Sequence, residues 1–178
     1  DIPTAYVGYV GRMTYAYKKR YMVDLNAGYN GSENFARGHR FGFFPAGAIG
    51  WLVSNEKWFE PVTKVVDVLK LKASYGLVGN DDIGGQRRWV YESTIVNGGS
   101  WNYGESGNQG GQGIVVGEVE NLSASWEEAL KLNVGFELSL FEKVKLQADY
   151  FREKRSGIFL QRSGLPIIVG ISTIPYIN

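Results

Sequence analysis

The 178-residue chain has 19 Lys plus Arg against 18 Asp plus Glu, a net charge of +1. That balance removes the long-range attraction expected of a nucleic-acid binder or a polybasic membrane anchor. Cysteine is absent and His39 is the single histidine, which excludes a disulfide framework, a thiolate zinc site and a thiol nucleophile, and leaves little for a Ser–His–Asp triad.

In chain order, the start Asp1-Ile2-Pro3-Thr4 has neither a basic region nor an apolar one, so no leader peptide is expected there. The chain reads as a processed product or an excised segment. An aromatic-rich stretch (Tyr9, Met13, Tyr15, Tyr17) is then separated from the next by Lys18-Lys19-Arg20, a connection short enough only for a hairpin. From Tyr21 to Asn30 the residues alternate strictly. Tyr21, Val23, Leu25, Ala27 and Tyr29 take one face, and Met22, Asp24, Asn26, Gly28 and Asn30 take the other. A glycine-containing connection spans residues 31–40. Alternation returns at 69–78, where Leu69, Leu71, Ala73, Tyr75 and Leu77 oppose Lys70, Lys72, Ser74, Gly76 and Val78. Residues 79–88 and 97–113 read as long, glycine-rich loops. At 130–140, Leu130, Leu132, Val134, Phe136, Leu138 and Leu140 oppose Lys131, Asn133, Gly135, Glu137 and Ser139. A short turn at 140–143 leads to a last ribbon with Val144, Leu146, Ala148 and Tyr150 on its apolar side. The apolar stretch 165–177 is interrupted by Gly170, Ser172, Thr173 and Pro175, and it falls short of the ~20 residues of a spanning helix.

Side chains alternate between the faces of a strand, so these segments are half-apolar antiparallel strands. They persist for roughly 10 residues, beyond the ~5–6 usual in globular sheets and within the ~9–11 of a tilted membrane-crossing strand. Short turns at one end and long loops at the other are the asymmetry of an outer-membrane barrel. Aromatics near strand ends (Tyr17, Tyr21, Tyr29, Trp51, Tyr75, Tyr150) suit interfacial girdles. A soluble β-sandwich binding carbohydrate or protein stays open as the alternative, because a lipid-facing side and a core-facing side look alike in one sequence. No linker marks a second domain. At roughly 20–25 residues per strand and connection, residues 1–178 give about 8 strands in an up-and-down meander.

Few residues suggest covalent chemistry. Asp81 and Asp82 lack EF-hand spacing and read as a solvated turn. Glu118, Glu120, Glu127 and Glu128 carry nothing that fixes the separation a glycosidase needs. Gly107-Asn108-Gln109-Gly110-Gly111-Gln112-Gly113 spells neither a P-loop nor a dinucleotide motif and reads as a surface loop. His39 has no companion at ligand spacing. The sequons at Asn30 and Asn121 matter only in a eukaryotic secretory setting. No enzyme, cofactor or metal is expected. The substrate-binding candidates are Trp89, Tyr91, Trp101 and Tyr103, whose rings border the long loops and could stack on sugar faces or grip a peptide; packing within the loops is the competing role.

Four stretches together resemble a known family. Arg40-Phe41-Gly42-Phe43-Phe44-Pro45 with Gly50-Trp51 and Ser54-Asn55-Glu56 is similar to the "R-x-G-F-F-P … G-W … S-x-E" segment of SusC/RagA-type TonB-dependent outer-membrane receptors. Residues 69–80, from Leu69 to Asn80, resemble their "L-K-L-R-x-S-Y-G-x-x-G-N" strand. Trp126-Glu127 with Asn133-Val134-Gly135-Phe136-Glu137, and Asp149-Tyr150-Phe151, resemble the later "W-E … N-x-G-x-D" and "D-Y-Y" elements, although the usual threonine after Trp-Glu is missing. Leu165-Pro166 matches a further Leu-Pro element. The order holds from about Val7 to Pro166. The resemblance implies a plugged barrel of about 22 strands in the outer membrane of a Gram-negative bacterium, of which residues 1–178 would be a partial segment lacking plug and barrel termini. It also implies TonB-energised uptake of oligosaccharides, peptides or similar nutrients. The implied partners are outer-membrane lipid, a SusD-like surface lipoprotein, and TonB acting through regions outside this chain, with no nucleic acid.

Overall fold

The computed structural model describes residues 5–84, 88–107, 109–141, 143–161 and 176–177. Leu165-Pro166 and most of the last apolar stretch lie outside them. Eight long strands are present: β1 (Tyr6–Tyr17), β2 (Tyr21–Ser32), β3 (Phe41–Leu52), β4 (Val66–Asn80), β5 (Ile95–Tyr103), β6 (Gln109–Val116), β7 (Glu127–Leu140) and β8 (Val144–Ser156). Six form one antiparallel sheet in the order β1-β2-β3-β4-β7-β8. β5 and β6 pair with each other as a separate hairpin inserted between β4 and β7. A ladder of two residues on each side joins β9 (Leu160–Gln161) to β10 (Tyr176–Ile177).

Both tight connections fall where the charge-rich turns predict. Arg20 N–H donates to the Tyr17 carbonyl at 2.9 Å, closing the β1–β2 turn, and both central residues sit at positive φ (Lys18 50°, Lys19 53°). That is the backbone a tight hairpin needs to follow the twist of its strands, though Asn-Gly usually supplies it. The β7–β8 turn uses Phe141 at φ 52° in the same way. Two short 3-10 turns, Val53–Asn55 and Lys57–Val62, join β3 to β4 at this same short-turn rim.

Register sorts the side chains into rows. Tyr17, Tyr21, Trp51, Leu71, Phe136 and Ala148 lie side by side on one face. The next row is Tyr15, Val23, Ile49, Ala73, Val134 and Tyr150. This face is apolar, and nothing covers it among the described residues: Ile49, in the middle of a central strand, is 62% exposed. A β-sandwich would press such a face against a second sheet. A single sheet with its apolar side open is instead part of a barrel wall.

The opposite face is polar and ion-paired. Lys72 Nζ lies 3.1 Å from Asp149 and 3.3 Å from Glu137, and Lys131 lies 3.7 Å from Glu153. Arg12 pairs with Asp24 on the same side. Lys72, Gly135 and Asp149 occupy one row. A Cβ on Gly135 would stand 2.2 Å from the Asp149 carboxylate, so glycine in the middle strand is what lets Lys72 reach across it.

Both limits of the apolar band descend from β2 to β8. The lower one runs from the Tyr21 row, which holds Phe136, to the Leu140–Val144 pair four residues further along β7. The upper aromatic edge drops from Tyr29 on β2 to Tyr150 on β8, which shares a row with Val23 six residues lower. Strands tilted against a barrel axis produce this stagger. On β2 the rings of Tyr21 and Tyr29 are eight residues apart, roughly 27 Å along the strand. A tilt of about 40° brings that to about 21 Å, near the ~25 Å apolar belt of an outer-membrane barrel. Trp51 stacks on Tyr21 (6.3 Å) and Phe41 on Tyr29 (5.1 Å), one pair toward each rim.

Candidate functional site at the loop rim

The long connections gather at one end of the sheet. Phe35, Phe44, Ile83, Ala124 and Trp126 form a buried cluster there, with Leu77, Val90 and Phe159 packed against it. Phe44 meets Trp126 edge-on at 5.2 Å, and Phe35 lies tilted against it at 5.7 Å. A Cβ on Gly79 would fall 1.9 Å from the Phe44 ring. The glycine before Asn80 is therefore required by the phenylalanine of the preceding strand. The Trp126 indole N–H donates to the Arg40 carbonyl at 3.0 Å, and Arg40 Nε donates to the Phe35 carbonyl at 3.0 Å. Arg40, Gly79 and Trp126 come from three separate sequence motifs, and the cluster is where they meet.

Around this cluster, polar contacts fix the loops to one another. Arg88 pairs with Glu33 at 2.6 Å, and Asn34 donates to the Asp81 carbonyl at 3.2 Å. The Arg88 guanidinium, by hydrogen bonding, holds the Glu33 carboxyl below its ordinary pKa, against partial desolvation. Asp82 accepts from Gly84 N–H at 2.8 Å, and its own N–H donates to Asn80 at 3.1 Å. The acidic pair thus builds a turn. His39 is exposed, with its N–H on the Ala36 carbonyl at 3.0 Å. Glu127, paired with Arg155 at 3.5 Å, and Glu128 take opposite faces of β7.

The four candidate aromatics separate into two pairs. Tyr91 lies under the Arg40 guanidinium, 5.7 Å from ring to cation, and its hydroxyl accepts from Arg40 at 3.3 Å. Trp89, at φ 52°, sits beneath the Arg88 guanidinium at 4.7 Å. Trp101 and Tyr103 stand two residues apart on β5, 54% and 52% exposed. One expectation is corrected here. Residues 97–113, read as one loop, supply most of β5 (97–103) and the start of β6 (109–113). Glycine suits this ladder at one position: Trp101 lies over its register partner Gly111, where a Cβ would come within 2.7 Å of the indole. Glycine there seats a ring and lets the ladder form. The sequence did not reveal the cluster of Phe35, Phe44 and Trp126 as a site; its only signal was that the motif residues Arg40, Phe44, Gly79 and Trp126 have no place in a simple alternation.

At the short-turn rim, Glu56 closes a smaller constellation. It accepts from the Tyr21 hydroxyl at 2.7 Å and the Trp51 indole at 3.2 Å, and it pairs with Arg20 at 3.3 Å. The Tyr21 hydrogen bond, aided by Trp51 and Arg20, lowers the Glu56 pKa below the usual glutamate value.

No protein-family model matches the chain. Among curated proteins it is 29% identical over 171 residues to TonB-dependent receptor P3 of Formosa agariphila, covering 96% of this chain and 16% of that protein. TonB-dependent receptor P39 of the same organism is 30% identical over 164 residues, covering 92% and 15%. TonB-dependent receptor SusC of Bacteroides thetaiotaomicron is 35% identical over 78 residues, 44% of this chain and 8% of that one. In fold, the chain superposes on a chain of the RagAB peptide importer in its "closed-closed" state with a TM-score of 0.80 at 22% identity, covering 98% of this chain and 18% of that one. The chain is a barrel segment of a SusC/RagA-type TonB-dependent receptor. This receptor segment spans about one sixth of the length of the relatives it matches. These curated relatives are all TonB-dependent receptors. Its SusC/RagA-type motifs are structural in this geometry: Arg40, Phe44, Gly79 and Trp126 tie the loops to the wall, and Gly135 and Asp149 tie the polar face together.

Proposed function

We propose that residues 1–178 form part of the barrel domain of an outer-membrane nutrient receptor whose uptake is energised by TonB. The observation that carries this reading is the two-faced wall: an uncovered apolar side bounded by aromatic rows and an ion-paired polar side. In the intact receptor the apolar side meets lipid and the polar side lines the bore. The loop cluster sets the position of the β5–β6 hairpin at the extracellular mouth. Trp101 and Tyr103 offer ring faces for an incoming oligosaccharide or peptide. Trp89 and Tyr91, already against Arg88 and Arg40, shape the loop beneath them. Mechanism is then binding at the mouth, without covalent chemistry, followed by plug rearrangement driven through TonB by parts outside this chain. A SusD-like surface lipoprotein covers the mouth. SusC and the RagAB peptide importer lend support by likeness to this assignment.

The test is made in the full-length receptor. Extraction from the outer membrane should need detergent, and gel migration should shift on heating. Growth on a panel of oligosaccharides and peptides should identify a cargo whose uptake falls in the Trp101→Ala/Tyr103→Ala double variant at unchanged surface abundance. A water-soluble receptor would end the barrel reading; unchanged uptake of every cargo would remove Trp101 and Tyr103 from the binding role.

A further inference from the structure

The apolar face carries cations at two places where the alternation predicts oily residues, both at the loop-rim end of β8. Arg152 shares a row with Tyr75 and Leu132, and Lys154 shares the next with Leu77 and Leu130. Tyr75, Leu130, Leu132, Arg152 and Lys154 line one groove of about 260 Å³. On the polar face at the same end of these strands, Lys131 is paired with Glu153 and Arg155 with Glu127 and Glu153. Arg152 and Lys154 have no ion pair among the described residues. Glu128, one row nearer the rim opposite Ser156, is the carboxylate that shares their face.

Their depth follows from the stagger of the wall. Tyr150, the aromatic edge of the band on β8, is one row below Arg152, so the two cations stand just beyond the girdle, at the level of lipid headgroups. There an outward-facing cation costs little. A guanidinium presents a fork that matches a phosphate, and an ammonium adds a second point charge. Beneath them, Leu130, Leu132 and the Tyr75 ring offer an apolar floor of the kind an acyl chain covers.

We propose that this groove is a binding site for a phosphate-bearing lipid of the outward leaflet, its phosphate held by Arg152 and Lys154 and its acyl chain lying on Leu130 and Leu132. This rests on the reading of the apolar face as lipid-facing. The occupant is a lipid and not a free anion, because the apolar floor has no use to inorganic phosphate.

The experiment uses the full-length receptor in phosphatidylcholine nanodiscs titrated with monophosphoryl lipid A, with bound lipid counted by native mass spectrometry. Wild type should enrich the anionic lipid. Arg152→Gln/Lys154→Gln should lose about thirtyfold in affinity, the equivalent of roughly 1 kcal/mol per basic residue near a charged surface. Arg152→Lys, which keeps the charge, should stay within a few fold, and Lys131→Gln on the opposite face should bind as wild type. If the double variant does not assemble, Lys154→Gln alone should lose about fivefold. Unchanged enrichment in the neutralised variant overturns the site, as would be seen if a neighbouring strand of the whole barrel supplied carboxylates to both cations. Displacement of the lipid by millimolar inorganic phosphate overturns the choice of a lipid. Heat-modifiable migration is followed alongside: its absence in wild type sinks the barrel reading itself, whereas its presence with no lipid preference sinks this proposal alone.

Discussion

The six-stranded wall and the loop rim above it are held together by different means. In the wall, each apolar side chain is one of a repeated row, and no single ring is enclosed. At the loop rim, Phe35 is 1% exposed and Trp126 6%, and a handful of buried side chains fix three connections at once. The wall relies on many equivalent backbone ladders and on the solvent its outer face meets. The loop rim relies on a miniature core of the ordinary globular kind. Single substitutions should therefore act locally and steeply at the rim, and in the wall mainly when they reverse the polarity of a face.

The largest effect is expected at Trp126. Trp126→Ala removes the ring that Phe35 and Phe44 both touch and the indole donor to Arg40. Deleting a buried aromatic costs about 3–5 kcal/mol. The urea midpoint of the heat-modifiable form of the full-length receptor should drop accordingly, and limited proteolysis should cut between β4 and β7 first. A mutant as resistant as wild type would mean that the rim has no core of its own.

Next comes polarity reversal in the wall. Leu71→Arg or Phe136→Arg places a cation among the lipid-facing rows, at about 2–4 kcal/mol near the midplane, and outer-membrane abundance should fall. Lys72 gives the contrast. Alternation alone suggests that Lys72→Glu is tolerated, since the position faces the wet side. The structure revises this: Lys72 lies between Glu137 and Asp149, so a third carboxylate there meets two others. Lys72→Met should be the milder of the two, and both should be milder than Leu71→Arg. Equal loss of abundance across all of them would contradict the assigned facing.

These contrasts also mark what could be read from residues alone. Strict alternation gave the strands β2, β4, β7 and β8 and the side each residue takes, because a period of two is a local property of an extended backbone. The turns at Lys18 and Phe141 were equally local. Alternation could not say whether the apolar side met lipid or another sheet, since both burials select the same residues. The loop rim was opaque for a different reason. Phe44 reaches Trp126 across 82 positions of sequence, and in the β5–β6 hairpin a glycine, Gly111, stands opposite Trp101, so neither leaves a periodic trace. What remained visible was a set of glycines and aromatics out of step with the pattern. Arg152 and Lys154 are of that kind too.

A smaller effect belongs to the β1–β2 turn. Lys19 holds a left-handed backbone at φ 53°, which costs a side-chain-bearing residue about 1 kcal/mol. Lys19→Gly should relieve most of that and raise the urea midpoint of the full-length receptor slightly. The same exchange at Lys145, inside β8, should lower it, because glycine weakens a strand interior.

The smallest effect is a pH dependence at the short-turn rim. The Glu56 pKa is depressed by the Tyr21 hydroxyl, with help from Trp51 and Arg20. The folded protein therefore takes up this proton less readily than the unfolded chain. Its contribution is complete above the unfolded glutamate value, about 4.3, and is lost as pH falls toward the depressed folded value. Glu56→Gln keeps the shape of the side chain without its charge, so the mutant should be less stable than wild type at pH 7. That gap should hold to about pH 5 and then close as the wild-type carboxylate takes up its proton. Urea titrations of the two full-length proteins at a series of pH values measure the gap directly. Equal stability of the two proteins at pH 7 would mean that Glu56 acts at this rim through its shape alone, and that its charge contributes nothing to the hold of Tyr21, Trp51 and Arg20.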